Sequence, residues 1–373
     1  MRIGINTLFL VPGDVGGTEI YLRRNLFAMV EESPRDVFVL FTTRDNEELF
    51  RDELKGFPNV EYIQLPLRAA IRPLRIIYEQ LLLPWYVWKS KVMILWSPGY
   101  TAPALSPCPQ VVTVHDLQYK SHPDDLSSLE RITLDALVRV ACRQCETVIA
   151  VSEFSKEEIL RYGFARKERV RAVLEGVEPD FACPVKEEDV VELPVEGKPY
   201  ILCVAHTYPH KQVHLLIEAF SLLADKVPHH LVIVGKARRG ETQVQESLAA
   251  CPARARVHRL AGLEYTGLRS LYQGADVFVL PSEYEGFGLP VLEGLLAGVP
   301  VVTMKKASLP EVGGNCAVYV QESSPESFAR AILATVEKTP AERELMVIQG
   351  RAWAQGFTWK KSAQATIRVF RLG

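Results

Sequence analysis

Thirteen short apolar runs constrain this chain more than any other feature. In the first half they are IGINTLFLV (3–11), VFVLFTT (37–43), VEYIQL (60–65), VMILWS (92–97), VVTVHD (111–116), TVIAVS (147–152) and RVRAVL (169–174). In the second half they are YILCVA (200–205), HLVIVG (230–235), VHRLAG (257–262), VFVLPS (277–282), VPVVTM (299–304) and CAVYV (316–320). Segments with helical periodicity separate them. A strand wetted on one face alternates apolar with polar residues. A strand that is apolar almost throughout is covered on both faces, as in parallel sheets flanked by helices. Two such series predict α/β architecture with two doubly wound, Rossmann-like parallel-sheet domains, and a length of 373 residues accommodates both.

The boundary is expected near 181–198, where FACPVKEEDVVELPVEGKP is rich in proline and charge and has no periodicity. That predicts domains over 1–182 and 198–355. The remaining 356–373 contain an amphipathic helix, FTWKKSAQATIRVF (357–370), expected to cross back onto the first domain.

Charge and composition then exclude several classes. A net charge of −2 offers no global attraction for a polyanion, so nucleic acid is not an expected partner. No apolar run reaches the roughly 18 residues a membrane-spanning helix needs, and LLLPWYVW (81–88) is cut by Pro84. The apolar opening residues lead into GDVGG with no small-residue cleavage site, so no secretory leader is expected. Seven cysteines, an odd number, fit a reducing cytoplasm. Cys142 and Cys145 form a lone CRQC at the end of a helical pattern and read as packing or surface cysteines.

In open α/β sheets ligands bind beyond the carboxyl ends of the strands, so the expected site is a cleft between the two domains. After the first strand, Gly16 and Gly17 precede a helix expected to be capped by Thr18, with Glu19 in its first turn. Glycines there let a phosphate or sugar approach the backbone; a plain tight turn is the alternative. After the fifth strand, His115-Asp116 offers a histidine for sugar contact or proton handling, or a structural one. After the first strand of the second half, Lys211 stands at the entry of a helix running to about Ala224. A lysine there opposes the helix dipole unless an anion shares the site. His206, His210 and His214 cluster nearby but lack the HExxH carboxylate, so no metal is expected.

The stretch EYEGFGLPVLEGLLAG (283–298) is the most telling. VFVLPS reads as a strand and PVLEGLLAG as a helix, with Pro290 in its first turn and Gly298 at its end. EGFG is then a strand-to-helix loop in which Gly286 and Gly288 leave backbone N–H groups accessible. Glu285 can accept hydrogen bonds from sugar hydroxyls. Glu293, one turn inside the helix, can take two vicinal hydroxyls, as acids do for ribose in dinucleotide folds. A helix-dipole partner is the plainer reading of Glu293, but it leaves Glu285 and the glycines unexplained.

EGFGLPVLE, with Glu285 and Glu293 eight positions apart, resembles the hallmark of retaining glycosyltransferases of family 4, which have the GT-B fold. VGGTEIYLRRNL, VVTVHDLQYKSHP, VSEFSKEEILRYG, GVEPDF, the helix around Lys211, LYQGADVFVLPSEYEGFGLPVLEGLLAGVPVV and ASLPEVGG resemble that family's blocks in the same order. The resemblance implies a sugar nucleotide held mainly by the second domain and an acceptor held mainly by the first. It implies that Glu293 binds the ribose, that Glu285 and the amides of Phe287, Gly288 and Leu289 hold the donor sugar, and that Lys211 neutralises the diphosphate. Gly16 and Gly17 would approach the donor phosphates, His115 would line the reacting face, and Leu263 would lie near the base. Glu285, His115 and Lys211 are the implied catalytic group. The chain departs from the family where many members have an arginine five residues before the lysine; here that residue is His206, and the residue directly before the lysine is His210.

Cleaving a sugar–diphosphate bond builds negative charge on the leaving phosphate, which Lys211, loop amides and helix N-termini would meet. The chain contains no D-x-D, so metal-independent transfer without a cofactor is expected. Retention of configuration is implied by the resemblance alone. His206 is expected to act as a titrating cation, or else to face the sugar or pack on Tyr208. A GT-B-like nucleotide-sugar epimerase and a non-catalytic sugar-nucleotide binding protein are the rival readings. RAAIRPLRIIYEQLLLPWYVWKSK (68–91) carries five cations against Glu79, with Trp85, Tyr86 and Trp88 among aliphatics. It reads as a surface for a membrane or a lipid-linked acceptor, or as a core helix with solvated ends. The protein is accordingly expected in the cytoplasm or at the inner membrane face.

Overall fold

The computed structural model describes every residue except Val15, Pro194, Glu196 and Gly373, and only the backbone of Asp124. Val15 of the glycine loop, Pro194 and Glu196 of the expected linker, and Gly373 of the tail therefore lie outside the described residues.

The chain divides into two compact units, Met1–Gly176 with Thr358–Gly373, and Val177–Phe357. The division falls just before the segment expected as a linker. That segment is held by the second unit: Val185 N–H bonds Gln273 Oε1 at 3.2 Å, Val191 N–H bonds Ser270 Oγ at 3.1 Å, and Phe181 packs edge-on against Tyr272. Proline and charge marked it as irregular, but they do not report which side captures it.

Each of the thirteen apolar runs overlaps one strand. The first unit holds β1 (Arg2–Asn6), β2 (Val37–Thr42), β3 (Val60–Gln64), β4 (Ile94–Ser97), β5 (Gln110–Val114), β6 (Thr147–Ala150) and β7 (Val170–Ala172). The second holds β8 (Tyr200–Val204), β9 (His230–Val234), β10 (Val257–Leu260), β11 (Val277–Leu280), β12 (Val301–Met304) and β13 (Ala317–Val320). The sheet orders are β3-β2-β1-β4-β5-β6-β7 and β10-β9-β8-β11-β12-β13, and every described pairing is parallel. Several runs overshoot their strands by residues that form the carboxyl-end loops.

Burial on both faces explains the composition of the central strands: Ile3, Ile5, Val39, Phe41, Leu95, Val112, Leu202, Phe278 and Val302 are fully buried. Cys142 and Cys145 lie buried in the core of the first unit, where desolvation pushes the Cys142 thiol up to about 12. The last helix, Trp359–Leu372, belongs to the first unit and packs on helix Gly17–Glu32, with Asn25 Nδ2 bonding Thr366 Oγ1 at 3.2 Å.

Candidate functional site

In each sheet the strand order reverses once, and open α/β sheets bind ligands beyond the strand ends at such a point. In the second unit the reversal falls between β8 and β11. The loops after these two strands carry Lys211 and Glu285, and they meet: Lys211 Nζ lies 2.6 Å from Glu285 Oε2, with the two side chains 20% and 11% exposed. Lys211 ends a short turn, Pro209–Lys211, and Gln212 adopts φ 50° before helix Val213–Leu223 begins. Lys211 thus precedes the helix rather than opening it. The anion expected beside it is, in this structure, Glu285 itself. The two loops are also joined through the backbone, where Glu283 N–H donates to His210 O at 2.9 Å.

The EGFG loop ends at Gly288, whose φ of 107° lies in the region a side chain strongly disfavours. Helix Leu289–Ala297 follows, with Pro290 in its first turn and left-handed Gly298 closing it. The side chains of Phe287 and Leu289 are buried. Within EGFG, Glu285 and Gly286 are the partly exposed residues, and Phe287 and Gly288 are buried.

Glu293 is buried inside that helix and accepts the Tyr272 hydroxyl at 2.9 Å. Desolvation raises its carboxyl from 4.5 to about 7, the Tyr272 bond opposes that rise, and the Glu178 carboxylate adds to it. Its environment is that of a buried acid, which helix-dipole pairing alone does not require. Leu263 sits half-buried in the loop after β10.

His206 accepts the Lys236 backbone N–H on Nδ1 at 3.0 Å. A nitrogen that accepts carries no proton, so this bond favours the neutral ring and opposes the titrating cation expected of His206. It is His210, not His206, that stacks on Tyr208, with ring centroids 5.7 Å apart. Sequence reading passed over the loop after β9. Lys236, Arg238 and Arg239 bring three cations there, and the loop is tied to its neighbour by Arg238 N–H to Thr207 Oγ1 at 2.7 Å and Gly240 N–H to Thr207 O at 2.7 Å. The run GKARRG at a strand's carboxyl end was the available signal.

In the first unit the order reverses between β1 and β4. Helix Gly17–Glu32 starts at Gly17, capped by Gly16 with φ 63° and ψ −132° and with no side-chain cap bond, so Thr18 is not the cap. Only glycine occupies such a conformation comfortably. Gly17 is helical, yet a Cβ built there meets nothing within 4 Å. Glycine in a helix costs about 1 kcal/mol relative to alanine, and internal packing at this position does not explain it. Glu19 accepts Gly13 N–H at 2.7 Å and so shapes the loop.

His115 is buried. Its Nε2 donates to Pro98 O at 2.9 Å, and its Nδ1 lies 3.5 Å from Glu175 Oε1, which is also buried and whose carboxyl is raised by desolvation. Both nitrogens are engaged by the protein, so the proton handling expected of His115 has no open nitrogen here. Glu79 was also missed. It sits on a π-helical turn, Tyr78–Leu82, and accepts from Asn6 Nδ2 at 2.8 Å and from Thr101 Oγ1 at 3.0 and 2.9 Å. Its lone charge within a basic segment was visible, but its burial at the ends of β1 and β4 was not.

These arrangements match known proteins along most of the chain. A sequence model described as Glycosyltransferase Family 4 matches residues 15–181, and one described as Glycosyl transferases group 1 matches 185–353. The O-antigen chain mannosyltransferase B of Escherichia coli is 27% identical over 276 residues, 70% of each chain. The O-antigen chain mannosyltransferase RfbU of Salmonella typhimurium is 26% identical over 231 residues, 62% of each chain. Among solved structures, Anabaena Alr3699/HepE in complex with UDP-glucose superposes with a TM-score of 0.78 at 19% identity, covering all of both chains. Sucrose-phosphate synthase of Thermosynechococcus elongatus gives 0.80 at 18%, covering 100% of this chain and 98% of that one. The two parallel-sheet units are those of the GT-B fold, and the chain is a glycosyltransferase belonging to family 4.

Proposed function

We propose that the protein transfers a hexose from a nucleotide diphosphate sugar, GDP-mannose or a UDP-sugar, to a glycan or lipid-linked acceptor in polysaccharide assembly. In this reading configuration is retained and no metal is needed. The observation that carries it is the Lys211–Glu285 pair at the β8/β11 reversal, which ties the EGFG loop to the loop after β8. A diphosphate entering there competes with Glu285 for Lys211, which frees the carboxylate for sugar hydroxyls. The cation, the loop amides and the helix N-terminus then meet the charge that develops on the leaving phosphate. The mannosyl relatives support the GDP-mannose arm, and the UDP-glucose complex supports the UDP arm. Thermal shifts with UDP-, GDP- and dTDP-sugars, followed by product analysis with and without acceptor, test the reading. Isomerised donor would indicate an epimerase, and binding without turnover a non-catalytic binder.

The lipid-linked acceptor has a further support in the first unit. Helices Arg72–Ile77 and Leu83–Lys89 run on through the π-helical turn, and Leu83 and Val87 pack into the core. The opposite side exposes Ile77, Leu81, Trp85 and Trp88, with Trp88 67% exposed, and Arg68, Arg72, Lys89 and Lys91 are exposed around them. Indoles beside cations suit the interface of an anionic bilayer. No described helix is long and apolar enough to cross a membrane. Co-sedimentation with anionic vesicles is expected for the wild type and strongly reduced for Trp85→Ser/Trp88→Ser. Equal recovery in the supernatant with and without lipid would remove the membrane contact.

A further inference from the structure

We infer that Ser308 is the positioning residue that aims the donor-binding amides of the EGFG loop. It follows Lys305–Ala307 in the loop after β12, and β12 neighbours β11 in the sheet. Ser308 is fully buried, and its Oγ lies 2.8 Å from Glu285 O and 2.6 Å from Phe287 O. One hydroxyl proton is thus shared between two carbonyls of the loop, as a three-centre bond or by rotation between them.

In a trans peptide the carbonyl of one residue and the N–H of the next point in opposite directions. Drawing in the carbonyls of Glu285 and Phe287 therefore turns the N–H groups of Gly286 and Gly288 away from Ser308. A single buried hydroxyl sets the direction of two alternate amides. Without it a glycine-containing loop can rotate these peptide planes at little steric cost.

Three further observations fit a device rather than incidental packing. Ala307, directly before Ser308, holds φ 52°, a conformation disfavoured for a residue with a Cβ and retained where the surroundings impose it. Lys306 Nζ pairs with Glu283 Oε1 at 2.7 Å, so the two loops are joined at a second point. A Cβ built on Gly288 would lie 3.1 Å from Leu309 Cδ2, so the end of the EGFG loop rests on the residue after Ser308.

The role in donor binding rests on the function proposed above, and the test separates the two. Hydrogen–deuterium exchange on the free full-length protein requires no donor. In Ser308→Ala, exchange in peptides covering 283–289 should rise while peptides covering β8 and β12 stay unchanged. With the donor identified, KM for the sugar nucleotide should rise about tenfold, the scale of one lost hydrogen bond, while KM for the acceptor holds. Ser308→Thr, which keeps the hydroxyl, should restore both readouts. Should Ser308→Ala not fold, Ser308→Cys keeps the volume with a weak thiol donor and carries the same test. Unchanged exchange over 283–289, or equal losses in the alanine and threonine variants, overturns the positioning role. Raised exchange in a protein that binds no sugar nucleotide would confirm the pin and sink the proposed donor instead.

Discussion

Lys211→Met is expected to lower kcat/KM for glycosyl transfer by roughly 10²–10³, the cost of removing one preorganised charge-stabilising group. It should also destabilise the fold, because Glu285 then keeps a largely buried carboxylate 11% exposed without its partner. Losing a charged hydrogen bond of this kind costs about 1.5–3 kcal/mol. Replacing both members, Lys211→Met with Glu285→Gln, removes the unpaired charge and should recover most of that stability while activity stays lost. Urea unfolding and steady-state kinetics on the two single variants and the double variant read both quantities. Activity returning with stability would mean that the pair serves the fold and not the chemistry.

Glu293 should couple the stability of the second unit to pH. Its carboxyl is raised from 4.5 to about 7 in the folded state. The folded protein therefore holds a proton that the unfolded chain releases between these values. The stabilisation is fully present below about pH 4.5 and is lost as pH rises through about 7. Its size is about 3 kcal/mol, from 1.36 kcal/mol per unit. Wild-type unfolding free energy should fall from pH 5 to pH 8 by about 2.5 kcal/mol more than in Glu293→Gln, which keeps the shape and does not titrate.

The same group makes a prediction for ligand binding. Ribose hydroxyls donating to the carboxylate would favour its ionised form and lower its raised carboxyl. Nucleotide binding near pH 7 should then release a proton, and affinity should climb from pH 6 to pH 8. Calorimetry in two buffers of different ionisation enthalpy measures that release, and Glu293→Gln should abolish it. A titrating His206 would give the reverse, with affinity falling as pH rises. An affinity that falls in wild type and in Glu293→Gln alike would move the assignment to the histidine.

The order of elements was legible before any coordinates, because the signals behind it are local. A run such as VFVLPS is apolar throughout since both faces of its strand are covered, and Pro290 and Gly298 mark helix ends through their own backbone preferences. Spacing alone also placed Glu285 on a loop and Glu293 one turn into a helix. Partners were not legible. Lys211 and Glu285 stand 74 residues apart and meet only because β8 and β11 are neighbours in the sheet. His115 looked like an open base at a strand end until Pro98 and Glu175 closed around it. Glu79 looked like one acid in a basic segment until the π-helical turn carried it under β1 and β4. Ser308 sat in a recognisable block, ASLPEVGG, that named no role for it. The sequence by itself determined which segments are strands, which are helices and which residue types stand at their ends. The tertiary structure alone decided which of those ends meet, which carboxyls lose water and shift, and which hydroxyl turns a loop's amides. Periodicity and capping act within a few residues, whereas desolvation and hydrogen-bond pairing depend on chain segments that only the sheet order brings together.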